Sequence, residues 1–350
     1  MEIAYGTQPR DLIALAWYSI GFRPRHDLVL VGLHDGLAGP GPILRIRLPP
    51  RRYEFEVVDQ LLGGLRRAGP AVDGVVALIM HEELGSARHR RLVGLLRARA
   101  SGHRLELADV IAVSAHGYRS LLCGAGCCPP EGRPLQEVTD STVSVAMIAC
   151  GEVLAADESG LIRDVLPERP DPPGRPRSDE VVPDGRPCGR GERVAALAAW
   201  RAVLDETPAP LPALARAMAD PMLRDAMLLC AVPGTGDAPE RLVTGGPVDL
   251  AGTLATAPDF ALTKRVGDAL AVVARASPRG ARAHPVAALA WLSWWSGNGT
   301  RARLLALHAL QLQPGHGLAD LIRDLAAIPA PPPWQGGPGR SGSGAEQVAS

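Results

Sequence analysis

Three cysteines fall within six residues, Cys123, Cys127 and Cys128, in the stretch YRSLLCGAGCCPPEGRPL. A zinc site needs about four ligands, commonly including two cysteines two to four residues apart. The spacing C-x3-C-C supplies such a pair, with His116 or Cys150 as a further ligand. Adjacent side chains diverge along an extended backbone, so Cys127 and Cys128 do not both reach one ion, and no second cysteine pair exists elsewhere. A reactive thiol is the second reading, and it requires a lowered pKa that no neighbouring residue guarantees. The third is architectural: the cysteines act as small buried hydrophobes while Pro129, Pro130 and Gly132 build a rigid turn. The ligand count favours the third reading, and no metal or cofactor is assigned.

A second group stands where apolar runs end. In open parallel sheets, ligands sit at the carboxyl ends of strands. Those ends carry His34 and Asp35, then His81, Glu82 and Glu83, then Ser114 and His116. A histidine beside two carboxylates can do acid-base work or hold a metal, although polar residues also fill strand-to-helix loops that have no such role. His81, Glu82, Glu83, His116 and the three cysteines are therefore the candidate binding residues. HEELG lacks the second histidine of the zinc-protease pattern. There is no G-x-S-x-G elbow and no dinucleotide fingerprint, and Lys264 is the only lysine available for a P-loop or a Schiff base.

The elements that must position these groups follow from periodicity. Ile13, Ala16, Trp17 and Ile20 share a helix face that ends near Gly21. LVLVGL (residues 28–33) and ILRIRL (43–48) read as strands joined by the glycine-rich HDGLAGPGP. Phe55, Val58, Leu62 and Leu65 mark a helix, GVVALIM (74–80) a strand covered on both faces, Leu92, Leu95 and Leu96 a second helix, and ADVIAVS (108–114) a further buried strand. This alternation predicts an α/β domain over residues 1–166 with a mainly parallel sheet flanked by helices. Residues 167–191, rich in proline, glycine and charge, read as a linker or surface loop. An all-α domain over 192–328 follows, and residues 329–350 read as a disordered tail. Within the helical domain, Val194, Leu197, Ala198 and Leu204 mark the first helix, and Leu318, Leu321, Ile322 and Leu325 mark the last. Between them two helices reverse at Ser296 to Gly299. Ala290, Ala302, Ala309 and Pro314 sit where a tetratricopeptide hairpin needs close contact and a stop, although one such unit makes no solenoid.

Lys+Arg and Asp+Glu both number 37, so the total charge gives no long-range attraction to nucleic acid or anionic lipid. Neither is an expected partner. The run SARHRRLVGLLRARASGHR reads as a solvated helix face, and Trp291, Trp294 and Trp295 as helix-contact residues. No basic leader precedes an apolar segment, and the most apolar window, residues 286–295, is shorter than the roughly 20 residues of a membrane span. A cytoplasmic home is expected, with its six cysteines held as thiols.

DLIALAWYSIGFRPRHDLVLVGL, LLCGAGCCPPEGRPL and SWWSGNGTRARLLALHALQLQPGHGLADLI together resemble the actinobacterial family catalogued as domain of unknown function 4192. The resemblance implies this order of segments and a bacterial cytoplasmic location, and it transfers no catalytic residue. The functional expectation is a non-catalytic binding or interaction scaffold meeting a protein partner through its helical domain. The alternative is an enzyme or small-ligand binder with a pocket near His81, Glu82 and the cysteine turn.

Overall fold

A computed structural model describes residues 8–34, 39–68, 72–124, 128–166, 188–327 and 332–336. One unit runs through Leu161, and a second begins at Ile162. The linker expected over 167–191 lies outside the described residues up to position 187, as does nearly all of the tail expected from residue 329.

The first unit opens with α1 (Pro9–Ile20), started by proline at its first position and stopped by Gly21, whose φ of 91° lets its N–H reach Trp17 O at 2.7 Å. The strands β1 (Asp27–His34), β2 (Gly39–Arg47), β3 (Val72–Met80), β4 (Glu106–Val113) and β5 (Tyr118–Ser120) form one sheet in the order β2-β1-β3-β4-β5. Helices α2 (Glu54–Ala68) and α3 (Ala87–Gly102) cover one face, where Leu28, Leu30, Ala77 and Ile79 pack with Leu62, Leu65, Leu92 and Leu96. Side chains alternate along a strand, so Val29, Val31, Leu78 and Met80 face the other layer, where α1 packs. The short helices α4 (Gln136–Thr139) and α5 (Thr142–Ala149) pack beside α1.

The sheet is mixed, which corrects the mainly parallel expectation. Only β3 and β4 pair in parallel; β1 pairs antiparallel with both β2 and β3, and β4 antiparallel with β5. The cause is local. Only four residues lie between β1 and β2, too few for the crossover of a dozen or more that a parallel pair needs. Those residues, 35–38, Asp35 among them, lie outside the described residues. Chain direction also decides which ends meet. His34 pairs with Val72, at the start of β3, whereas Asp27 pairs with Met80 at its end. His34 therefore lies at the edge opposite His81, and the residues leading into β1 take its place. A further correction concerns Phe55, whose helical spacing suggests burial. It is 52% exposed, with the Arg99 guanidinium 4.8 Å from its ring centroid.

Two buried carboxylates tie this unit together. Asp27 is 3% exposed and takes Arg45 Nε at 2.9 Å, while the same guanidinium reaches Glu158 at 3.2 Å and lies over Phe22. Glu54, also 3% exposed, receives Arg88 at 3.0 Å and Arg91 at 2.8 Å, joining the start of α2 to α3.

The second unit is helical throughout its described residues: α6 (Arg190–Leu204), α7 (Leu211–Ala217), α8 (Pro221–Leu229), α9 (Ala238–Val243), α10 (Leu250–Leu254), α11 (Phe260–Ala276), α12 (Arg279–Trp295), α13 (Gly299–Leu312) and α14 (Gly317–Ala327). Its core holds Trp200 and Trp295, both fully buried, with Leu223, Met227, Leu270 and Leu305. Helices α12 and α13 reverse at Ser296–Asn298, where Asn298 caps α13 through Arg301 N–H at 2.9 Å. Ala287, Ala290, Ala302, Ala306 and Ala309 are fully buried, and small residues of this kind let helix axes approach closely. Val194 and Leu321, expected on buried faces, are 45% and 52% exposed. Among the described residues no helix is long and apolar enough to cross a membrane.

Candidate functional site

His81 follows directly on β3, and its N–H bonds Val113 O at 2.9 Å, extending the parallel pairing with β4 by one residue. Its ring lies edge to face with His26 at 6.2 Å and with His89 at 5.5 Å. The sheet edge therefore carries a row of three imidazoles, two of which sequence reasoning missed. His26 precedes β1, so only the antiparallel register brings it beside His81. His89 sits in the first turn of α3, within an arginine-rich run.

Backbone donors fix the tautomers of two of these rings, His81 and His89. The Glu83 N–H points at His81 Nδ1 (3.3 Å), and the Ser86 N–H at His89 Nδ1 (3.1 Å). A backbone N–H can only donate, so both Nδ1 atoms accept and the neutral rings carry hydrogen at Nε2. In such rings Nε2 carries a hydrogen rather than a free lone pair, the wrong polarity for coordinating a cation there. His89 is 1% exposed, and its Nε2 is buried with no hydrogen-bond partner among the described residues. Burial, reinforced by His81, pushes its pKa down from 6.5 to about 4. Glu82 and Glu83 are exposed, and Glu82 meets His26 Nε2 at 3.6 Å.

His116 stands exposed in the turn from Ser114 to Gly117, where Ser114 Oγ accepts the N–H groups of His116 and Gly117, both at 3.2 Å. No ring contact joins His116 to His81. Cys123 and Cys128 are half-buried and unbridged, and Cys127 lies outside the described residues. Among the described residues no three His, Cys, Asp or Glu side chains gather closely enough to hold a metal ion.

The cysteine segment is fastened from both ends. Before it, Ser120 Oγ accepts the N–H groups of Leu122 (3.2 Å) and Cys123 (3.0 Å) and donates to Asp109 Oδ1 at 2.6 Å. After it, Gly132 N–H closes a turn on Pro129 O, and Arg133 exchanges two backbone bonds with Tyr118. The Tyr118 hydroxyl and Arg133 Nε both donate to Glu137 Oε2, at 2.7 and 2.8 Å. Burial, with Glu137 beside it, pushes the Tyr118 hydroxyl up to about 12. A Cβ at Gly117 would meet Arg133 O at 2.6 Å, and one at Gly132, where φ is +85°, would meet Leu84 Cδ1 at 2.6 Å. Through Leu84 the loop after His81 therefore touches the diproline turn.

Two expected results follow. Gly117→Ala should destabilise the first unit by about 2 kcal/mol, because the added Cβ is fixed on Cα and meets a backbone oxygen, so neither can rotate away. Gly94→Ala, on an exposed stretch of α3 with open space around it, should stabilise by about 0.5–1 kcal/mol, and urea denaturation reads both. Asp109 is the other test. Burial raises its pKa, and both of its hydrogen bonds, from Ser120 and from Val110 N–H, go to Oδ1. Asp109→Asn can keep both bonds without the buried charge. Its Tm at pH 7 should rise by about 2 °C, the change that about 1 kcal/mol gives in a domain of this size. The gain should vanish at acid pH, where the native carboxyl is already neutral.

The helical unit contains a second imidazole pair. His284 Nδ1 lies 3.1 Å from His316 Nε2, with both residues buried. The Ala319 N–H points at His316 Nδ1 (3.4 Å), so His316 carries its hydrogen at Nε2 and donates it to His284. Burial, then His316 and Arg224, pushes His284 from 6.5 down to about 4; burial, then Arg224, lowers His316. The same unit has a cleft of about 210 Å³ lined by Arg201, Asp205, Cys230 and Arg265. Burial raises the Cys230 thiol to about 11, so it stays protonated at neutral pH and is a poor nucleophile.

Residues 9–332 match the profile of a family described as "Domain of unknown function (DUF4192)". No curated protein matches the chain, and neither does any solved structure.

Proposed function

We propose that this chain, which belongs to the family described as domain of unknown function DUF4192, is a non-catalytic interaction scaffold that engages a protein partner through its helical unit. The observation that supports this most is the run of closely packed helices from α11 to α14, held by an alanine seam with Phe260 and Leu321 left 51% and 52% exposed. The α12–α13 hairpin resembles a tetratricopeptide unit in the positions of Ala290, Ala302, Ala309 and Pro314. We place the protein in the cytoplasm of an actinobacterium. Cross-linking of the full chain in its own cells, with the cross-linked positions mapped, tests the reading. Partner cross-links should concentrate on the exposed faces of α11 to α14 and fall at least severalfold in a Phe260→Asp/Leu321→Asp variant. Partner cross-links confined to the first unit would reject it.

The imidazole row supports a second reading, a small-ligand pocket near His81, Glu82 and the cysteine turn. A ligand that binds only the native state raises Tm. A metabolite raising the Tm of the native chain but not of His81→Ala would move the weight to that edge.

A further inference from the structure

One corner of the sheet concentrates positive charge that the chain's balanced total conceals. Asp27 faces Arg47 across the β1–β2 ladder, and Leu48 N–H bonds His26 O at 2.8 Å. Arg25 and His26, entering β1, therefore lie beside Arg47, leaving β2. Pro49 and Pro50 then turn the chain into a 3-10 helix, Arg51–Tyr53. Arg25, Arg47, Arg51 and Arg52 are all exposed, and none has a carboxylate partner among the described residues.

Asp27 is engaged by Arg45, and Glu54 by Arg88 and Arg91. Glu56, Glu82 and Glu83 are exposed acids close by in sequence or register, and Glu82 lies 3.6 Å from His26 Nε2. Within the basic cluster stands Tyr53, 47% exposed, with the Arg52 guanidinium 4.7 Å from its ring centroid.

We propose that this corner binds single-stranded nucleic acid. Guanidinium forks match phosphate oxygens bidentately, and an exposed aromatic ring beside a stacked guanidinium is a platform for an unpaired base. An acidic peptide would satisfy the arginines but leave the ring without a flat partner. A duplex keeps its bases stacked inside, beyond the reach of a ring at the surface. The arginines take the backbone, and Tyr53 takes the base.

Fluorescence anisotropy of the full chain with a labelled oligothymidylate of about 16 nucleotides tests this. Each phosphate contact contributes a slope of about −0.7 to log K against log salt for single strands, so four arginines give about −3. Arg51→Gln/Arg52→Gln should weaken binding at least tenfold at about 50 mM salt and reduce the slope by about 1.4. Tyr53→Ala should weaken binding about tenfold with the slope unchanged, and Tyr53→Phe should restore it. These side chains are exposed, so Tm should stay constant across the variants. Three outcomes would overturn the proposal: no binding at low salt, binding indifferent to Arg51 and Arg52, or polyglutamate and phosphatidylglycerol vesicles bound as well as the oligonucleotide with no loss in Tyr53→Ala.

Discussion

Arg45→Met should lower the stability of the first unit by about 3–5 kcal/mol, the usual cost of leaving a buried charge without its partner, and its Tm by about 10 °C. Asp27 is 3% exposed and Arg45 supplies its ion pair. Once the guanidinium is gone the carboxylate must stay charged in an apolar setting or take up a proton. One outcome separates this cause from lost packing. Asp27→Leu/Arg45→Met, which removes both charges, should recover most of the loss. Urea denaturation reads it; a double variant no better than Arg45→Met would show that packing on Phe22 and the pair with Glu158 carry the effect instead.

Acidification should weaken both units through buried imidazoles, which is the second large effect. His89 and His284 have native pKa values of about 4 against 6.5. Between those values the unfolded chain binds the proton and the folded chain does not, so stability rises with pH across this window. The contribution is fully present above about pH 6.5 and is lost as pH falls toward 4. A drop from 6.5 to about 4 corresponds to about 3 kcal/mol for each group. Of the six tryptophans only Trp17 precedes Ile162, so tryptophan fluorescence reports mainly on the helical unit. His284→Gln, whose amide oxygen can still accept from His316, should flatten that unit's pH dependence by about half or more. An unchanged slope in this variant would show that other groups control it.

How much of this was legible in the sequence depends on the range of the signal. Element types came from local periodicity, so β1, α2, β3, α3 and β4 are found within a few residues of their expected positions. Pairing direction is not local. The glycine-rich turn after β1 already required a hairpin, and that one reversal moves His34 away from His81 and brings His26 in. Helical spacing also names a face without saying whether anything covers it, as Phe55, Val194 and Leu321 show. The candidate site was legible at His81, Glu82 and Glu83 because they follow an apolar run. His89 and Asp109 were not, because their roles depend on Ser86 as a cap and on Ser120 across a strand pair. Net charge is a sum over the chain and carries no positions, so the arginines around Arg47 and Arg51 stand out only once β1 and β2 are paired.

The outermost strand of the sheet, β2, has a consequence for how molecules of this protein meet. It reads GPGPILRIR, so its first half offers prolines, which lack an amide hydrogen, and it ends on the exposed Arg47. The opposite margin, β5, is three residues long. A neighbouring chain trying to zip onto either border would find missing donors, cationic repulsion or too little length to hold. Crowded copies are thereby kept from growing into fibrils through this sheet, and self-association has to use some other surface.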